Sequence, residues 1–142
     1  MIIALQDRRI LDWAQARLHC RFDDECKTIS SVDDDGGVLA VVIYERITRH
    51  DCLMHVSSTD PRWCSKPFLR AAFTYPFVQL GLERVTFVVS EENEEAMALC
   101  ERLGAKREGR LRRGFGDADG IVWGLLWSEC RWIGVRNGQI GT

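Results

Sequence analysis

"VTFVVSEENEEAMALCERLGAKREGRLR" (residues 85–112) changes character twice within a few turns of chain. Residues 85–90 form a short, nearly continuous apolar run rich in β-branched side chains, the pattern of a strand buried on both faces. Asn93 then precedes an amphipathic stretch with Ala96, Leu99, Cys100 and Leu103 on one side. Glu94 and Glu95 fill its first turn, where the helix dipole favours negative charge. Gly104 stops that helix and a basic strand begins at Lys106. The unit is therefore strand, capped helix, strand.

Upstream, Pro67 suits the opening of a helix that carries Phe68, Leu69, Ala72, Phe73, Phe77 and Leu80 on its apolar side. Pro76 removes one backbone hydrogen bond, at a cost of about 3 kcal/mol in an ordinary interior, so a kink is expected there, with Gly81 ending the helix. Because a helix precedes it, strand 85–90 can pair in parallel with "DCLMHVSST" (residues 51–59). That strand carries Leu53, His55 and Ser57 on one face and Cys52, Met54 and Val56 on the other. "CKTISSV" and "VLAVVIYERI" flank the turn "DDDGG" and predict an antiparallel hairpin. Asp7 can cap a first helix through Ile10, Trp13, Ala14 and Leu18, ending near Cys20 to Phe22. Strands at about 106–115 and 121–132, joined by "GDADG", complete an α/β three-layer fold with helices on both faces of a mixed sheet.

The 142 residues suffice for one domain, expected over 1–132, with a poorly anchored tail over 133–142. A formal charge of −2 carries no global signature for nucleic acid. The apolar start is too short for a signal peptide and no segment reaches a membrane span, so a cytoplasmic location is expected. Six scattered cysteines without a CxxC pair read as reduced thiols, and neither His19 with Cys20 nor His50 with Cys52 has the second close pair that a metal site needs.

In order and spacing, residues 37–132 resemble the GNAT N-acetyltransferase superfamily, and "YPFVQLGLERV" resembles its small bacteriophage-associated members. The resemblance implies acetyl-CoA as co-substrate. It places the pyrophosphate at "RWCSKP", where the family's Arg/Gln-x-x-Gly-x-Gly/Ala becomes Arg62, Trp63, Cys64, Ser65, Lys66 and Pro67. Ser65 and Pro67 replace two glycines that let backbone approach phosphate, while Arg62 and Lys66 offer charge instead. It further implies cofactor contacts at Val56, Ser57, Asn93 and Met97, with Asn93 either a plain cap or a cap and ligand at once.

Acetyl transfer to an amine needs a base for the ammonium, polarisation of the thioester carbonyl and a proton for the thiolate. His55 is the first candidate base, with Glu45 near the end of the preceding strand as an alternative, although a histidine in mid-strand can equally be a hydrogen-bonded core residue. Cys100 stands where many members carry a tyrosine acid, and it can equally be a core filler. A backbone N–H near residues 54–58 would hold the carbonyl. The acceptor, a small molecule or a protein amine, is left open, as is a homodimer.

Two other readings compete. Lys106, Arg107, Arg110, Arg112 and Arg113 could bind a polyanion or nucleic acid, although cations on an edge strand commonly serve only to protect it. The glycine-poor loop and missing tyrosine suit a catalytically degenerate GNAT-fold binding protein.

Overall fold

The computed structural model describes residues 2–5, 8–18, 25–136 and 139–140. Its elements are β1 (Ile2–Leu5), α1 (Arg8–Leu18), β2 (Lys27–Val32), β3 (Val38–Glu45), β4 (Leu53–Ser58), α2 (Lys66–Thr74), β5 (Arg84–Ser90), α3 (Glu94–Leu103), β6 (Lys106–Phe115) and β7 (Ala118–Leu126). Two further strands, β8 (Val135–Arg136) and β9 (Gln139–Ile140), pair with each other as a short ribbon. Asp7 and the expected end of the first helix at Cys20 to Phe22 lie outside the described residues.

β1 to β7 form one mixed sheet in the order β1-β2-β3-β4-β5-β7-β6, with β4 and β5 as its parallel pair. The expected α/β three-layer architecture is the one observed. Alternation along β3 sorts the two faces: Val41 and Ile43 pack under Ile10 and Ala14 of α1. Val42 and Tyr44 belong to the larger core with Phe68, Phe73, Phe77, Cys100, Leu103 and Trp123, so α2 and α3 share the opposite face. The tyrosine hydroxyl buried there donates to the Ala72 carbonyl, which keeps the polar end of Tyr44 satisfied inside that core.

Three elements differ from expectation. β1, four residues long, carries no turn signal and reads in the sequence only as an apolar run. The last strand ends at Leu126, not near 132, because Trp127–Glu129 turn into a 3-10 helix held by the Trp127 N–H on the Glu83 carbonyl (3.0 Å). Trp127 therefore leaves the strand and points its indole N–H at the Glu83 carboxylate, 3.1 Å away. After Thr74 the α2 chain widens into a π-turn, Tyr75–Gln79, in which the Leu80 N–H reaches the Tyr75 carbonyl at 3.0 Å. The extra residue absorbs the donor missing at Pro76, and it rotates Leu80 off the apolar stripe to 38% exposure. Gly81 (φ +68°) then turns the chain toward β5.

Candidate active site

β4 and β5 share one parallel rung, Leu53 with Thr86. β4 nevertheless continues beside β3 as far as Ser58, and β5 beside β7 as far as Ser90. Two half-sheets that stay intact while parting from each other leave a wedge beyond that rung. Val56, Val88, Val89 and Ser90 at its sides are half-buried, while Val85 and Phe87 near the rung are buried. Main-chain groups of β4 that face the wedge have no strand opposite them among the described residues, so an extended arm could take up those hydrogen bonds.

On the α1 side of this wedge stand Glu45, His55 and Ser57. Register places His55 opposite Ile43 and Glu45 opposite Leu53, so the two polar side chains are diagonal neighbours on one face. His55 Nε2 lies 3.6 Å from Glu45 Oε1. Burial lowers the imidazole pKa below its ordinary value, and the Glu45 carboxylate opposes that without reversing it. The ring is consequently neutral at neutral pH and can accept a proton, with an anion beside it to stabilise the imidazolium.

Arg17 of α1 donates from Nε to the Ser57 hydroxyl (3.2 Å) and from Nη2 to the Ser58 carbonyl (3.1 Å), with its guanidinium 5.1 Å from the Trp13 ring centre. It pins the helix to the open end of β4. Across the wedge, a Cβ on Gly120 would meet Val88 Cγ1 at 3.2 Å and Phe115 Cε2 at 3.3 Å, so the half-exposed Phe115 ring lies on the sheet beside Val88. Neither Arg17 nor Phe115 is marked in the sequence, since only pairing register brings them to this face.

The loop before α2 is largely closed on itself. Asp60 accepts from the Arg62 N–H (2.8 Å) and its Nε (3.0 Å). The Trp63 N–H goes to the Asp60 carbonyl, Cys64 to Pro61, Ser65 to Trp63 and Leu69 to Ser65. Ser65 is the N-cap and takes the Phe68 N–H at 3.3 Å, while Pro67 has none to offer. α2 begins one residue before Pro67. Of the amides across residues 62–69, Lys66 is the one that these bonds leave over. The two glycine replacements thus produce a loop whose donors are already engaged, with Arg62 neutralised by Asp60 at 2.8 Å. Arg102 of α3 also reaches this loop, its Nη2 3.9 Å from Cys64 Sγ, and adds a cation that sequence spacing did not disclose.

Asn93 caps α3 by accepting the Ala96 N–H at 3.1 Å. That bond uses Oδ1, so the amide nitrogen keeps both donors for another group. Met97 packs half-buried on the large core. Cys100 is buried there, and burial pushes its thiol up to about 12, which makes it a weaker proton donor than an ordinary thiol.

The basic strand is exposed along its whole length, but several of its cations are engaged. Lys106 pairs with Glu129 (2.6 Å) and Arg110 bridges Glu91 (2.5 Å) and Asp119 (2.9 Å). Arg107 lies 5.3 Å from the ring centre of Trp123. A shallow depression lined by Arg110, Leu111, Arg112, Arg113 and Asp119 lies along this edge. The cysteines described are all free thiols and four of five are buried; among the described residues no group of His, Cys, Asp and Glu could hold a metal ion. No described helix is long and apolar enough to cross a membrane.

In this mixed sheet two central parallel strands part, each followed by a helix on the same face, and solved structures of acetyltransferases share that fold. Spermidine N-acetyltransferase SpeG from Vibrio cholerae, in a dodecameric intermediate state, matches with a TM-score of 0.71 at 17% identity, over 89% of this chain and 94% of that one. The same enzyme with manganese matches at 0.66 and 18% identity, over 88% and 91%, and its F149A mutant at 0.69 and 16%, over 89% and 95%. At these identities the likeness shows the fold. No protein-family model and no curated protein matches the sequence.

Proposed function

We propose that this protein is a GNAT-type N-acetyltransferase that moves an acetyl group from acetyl-CoA directly to an amine. The observation that carries the reading is the wedge beyond the Leu53–Thr86 rung with His55 and Glu45 at its edge. Acetyl-CoA, when bound, supplies the activated acyl group as a thioester. Main-chain amides of β4 past Leu53 serve as donors to its carbonyl, and Val56 and Ser57 line its arm. Asn93, through its free amide donors, and Met97 border the same arm from α3. Lys66 and Arg102 offer the phosphates charge in place of a glycine cradle, while Arg62 is held by Asp60.

His55 takes the proton of the acceptor ammonium, directly or through one water, and Glu45 stabilises the imidazolium. The C–N bond then forms as the C–S bond breaks, and the thiolate takes its proton from water in preference to Cys100, whose buried thiol holds its proton too tightly. A single catalytic domain over 1–132, a cytoplasmic location and a homodimer belong to the same reading. The self-satisfied amides before α2 favour one rival, a GNAT-shaped scaffold that has lost tight cofactor binding. Steady-state assays with acetyl-CoA and an amine panel separate the two; spermidine enters that panel first because the similar structures are spermidine N-acetyltransferases. Turnover that His55→Asn lowers by about a hundredfold or more supports the enzyme, and no turnover with any amine supports the scaffold.

A further inference from the structure

The wedge begins at a polar cluster that the acetyl-transfer chemistry leaves unused. Thr86, 8% exposed, supplies the β5 half of the only rung between β4 and β5. Its hydroxyl donates to Asp51 Oδ1 at 2.9 Å, with Oδ2 at 3.1 Å, and accepts from Arg84 Nε at 3.2 Å and Nη2 at 3.1 Å. Arg84 Nη2 lies 2.6 Å from Glu108 Oε1, and its Nε 3.5 Å from Asp51 Oδ1.

Asp51 sits just ahead of β4, Arg84 and Thr86 open β5, and Glu108 occupies the bulge of β6 between Arg107 and Gly109. The network therefore spans from the entry of β4 to the sheet edge and must cross β7. It crosses at Gly124: a Cβ there would sit 2.5 Å from Arg84 Nη2 and closer still to the Glu108 carboxylate. Backbone bonds gather at the same end, with the Glu83 and Arg84 N–H groups on the His50 carbonyl (3.0 and 3.1 Å) and the Thr86 N–H on Cys52 (2.9 Å).

Half-buried ionic networks add little net stability because desolvation offsets their attraction, but an arrangement that separates the partners is costly because it leaves a charge unpaired. Sliding β5 by one residue against β4 would turn the Thr86 hydroxyl to the other face and leave Asp51 and Arg84 without it. We infer that Asp51, Thr86, Arg84 and Glu108 form a clamp that fixes where β4 and β5 part, and so positions the cofactor wedge and His55, one step past the rung. The catalytic side of this inference rests on the acetyl-transfer reading; these are positioning residues and touch no reacting atom.

Two variants test it from different directions. Thr86→Val keeps the shape and removes the shared hydroxyl, whereas Gly124→Ala keeps every charge and displaces the Arg84–Glu108 pair. Hydrogen exchange of the ligand-free protein is read at residues 54–58 and 87–90, with β2 and α2 as internal references, and acetyl-CoA affinity is read by calorimetry. The clamp predicts exchange about tenfold faster at the wedge and unchanged at the references, the sign of local opening, together with acetyl-CoA binding weakened several-fold. Unchanged exchange at the wedge, or a uniform rise that follows loss of thermal stability, overturns it. If either variant fails to fold, Glu108→Gln, which preserves volume and removes one charge, replaces it under the same criteria. If the wild type binds no acetyl-CoA, the functional reading fails by itself and the exchange data still decide the clamp.

Discussion

His55 Nε2 stands 3.6 Å from Glu45 Oε1, diagonally across the β3–β4 ladder, on the side of the sheet that α1 covers. Neutral imidazole beside carboxylate is an arrangement for accepting a proton. His55→Asn should lower kcat/KM by about 10² to 10⁴, the usual contribution of a positioned general base, and leave acetyl-CoA affinity within a factor of two or so. Steady-state kinetics and calorimetry on the same preparation check both halves.

Burial holds the His55 pKa below its ordinary value of 6.5. The acidic limb of kcat/KM should therefore rise at a pH below that value and be flat through neutrality as far as this group is concerned. The linkage sign follows from the same shift: the unfolded chain binds the proton more readily, so His55 contributes stability above pH 6.5 that is lost as pH falls through its folded pKa. His55→Asn should shallow the decline of Tm with acid, which scanning calorimetry across that window reads directly.

Asp60 holds both the guanidinium and the amide of Arg62. Asp60→Ala should free both for the phosphates and tighten acetyl-CoA by up to about tenfold, with a steeper salt dependence than the wild type. Weaker binding in the variant would mean that the 3-10 turn, rather than Arg62, is what the ligand needs.

Cys100 sits in the core with its thiol pushed up to about 12. Cys100→Ala should leave kcat near the wild-type value and cost on the order of 1 kcal/mol of stability for the lost packing. A fall of a hundredfold in kcat without loss of affinity would instead return the thiol to the proton-donor role.

Local signals carried much of this fold. Asn93 and Gly104 bound α3 as caps with a mechanism, and the Asp33–Gly37 turn closes β2 onto β3 as its residues dictate. The single β4–β5 rung, by contrast, is a property of two half-sheets and is written in neither strand alone. Arg17, Arg102 and the Arg84–Glu108 pair make contacts over separations of 24 to 41 residues, so no window of sequence could join them. Glu45 at the end of its strand and His55 within the next are legible as residue types, whereas their approach depends on register. Pro76 announces a break, yet the sequence does not distinguish a kink from the π-turn in which the Leu80 N–H reaches the Tyr75 carbonyl.

Calorimetric titration of the reduced protein with acetyl-CoA, alongside dephospho-CoA and desulfo-CoA, tests the central claim most directly. Micromolar binding that Lys66→Ala and Asn93→Ala each weaken several-fold is the result this account predicts. No binding at millimolar acetyl-CoA would contradict it and leave an acetyltransferase-shaped scaffold whose wedge serves some other ligand.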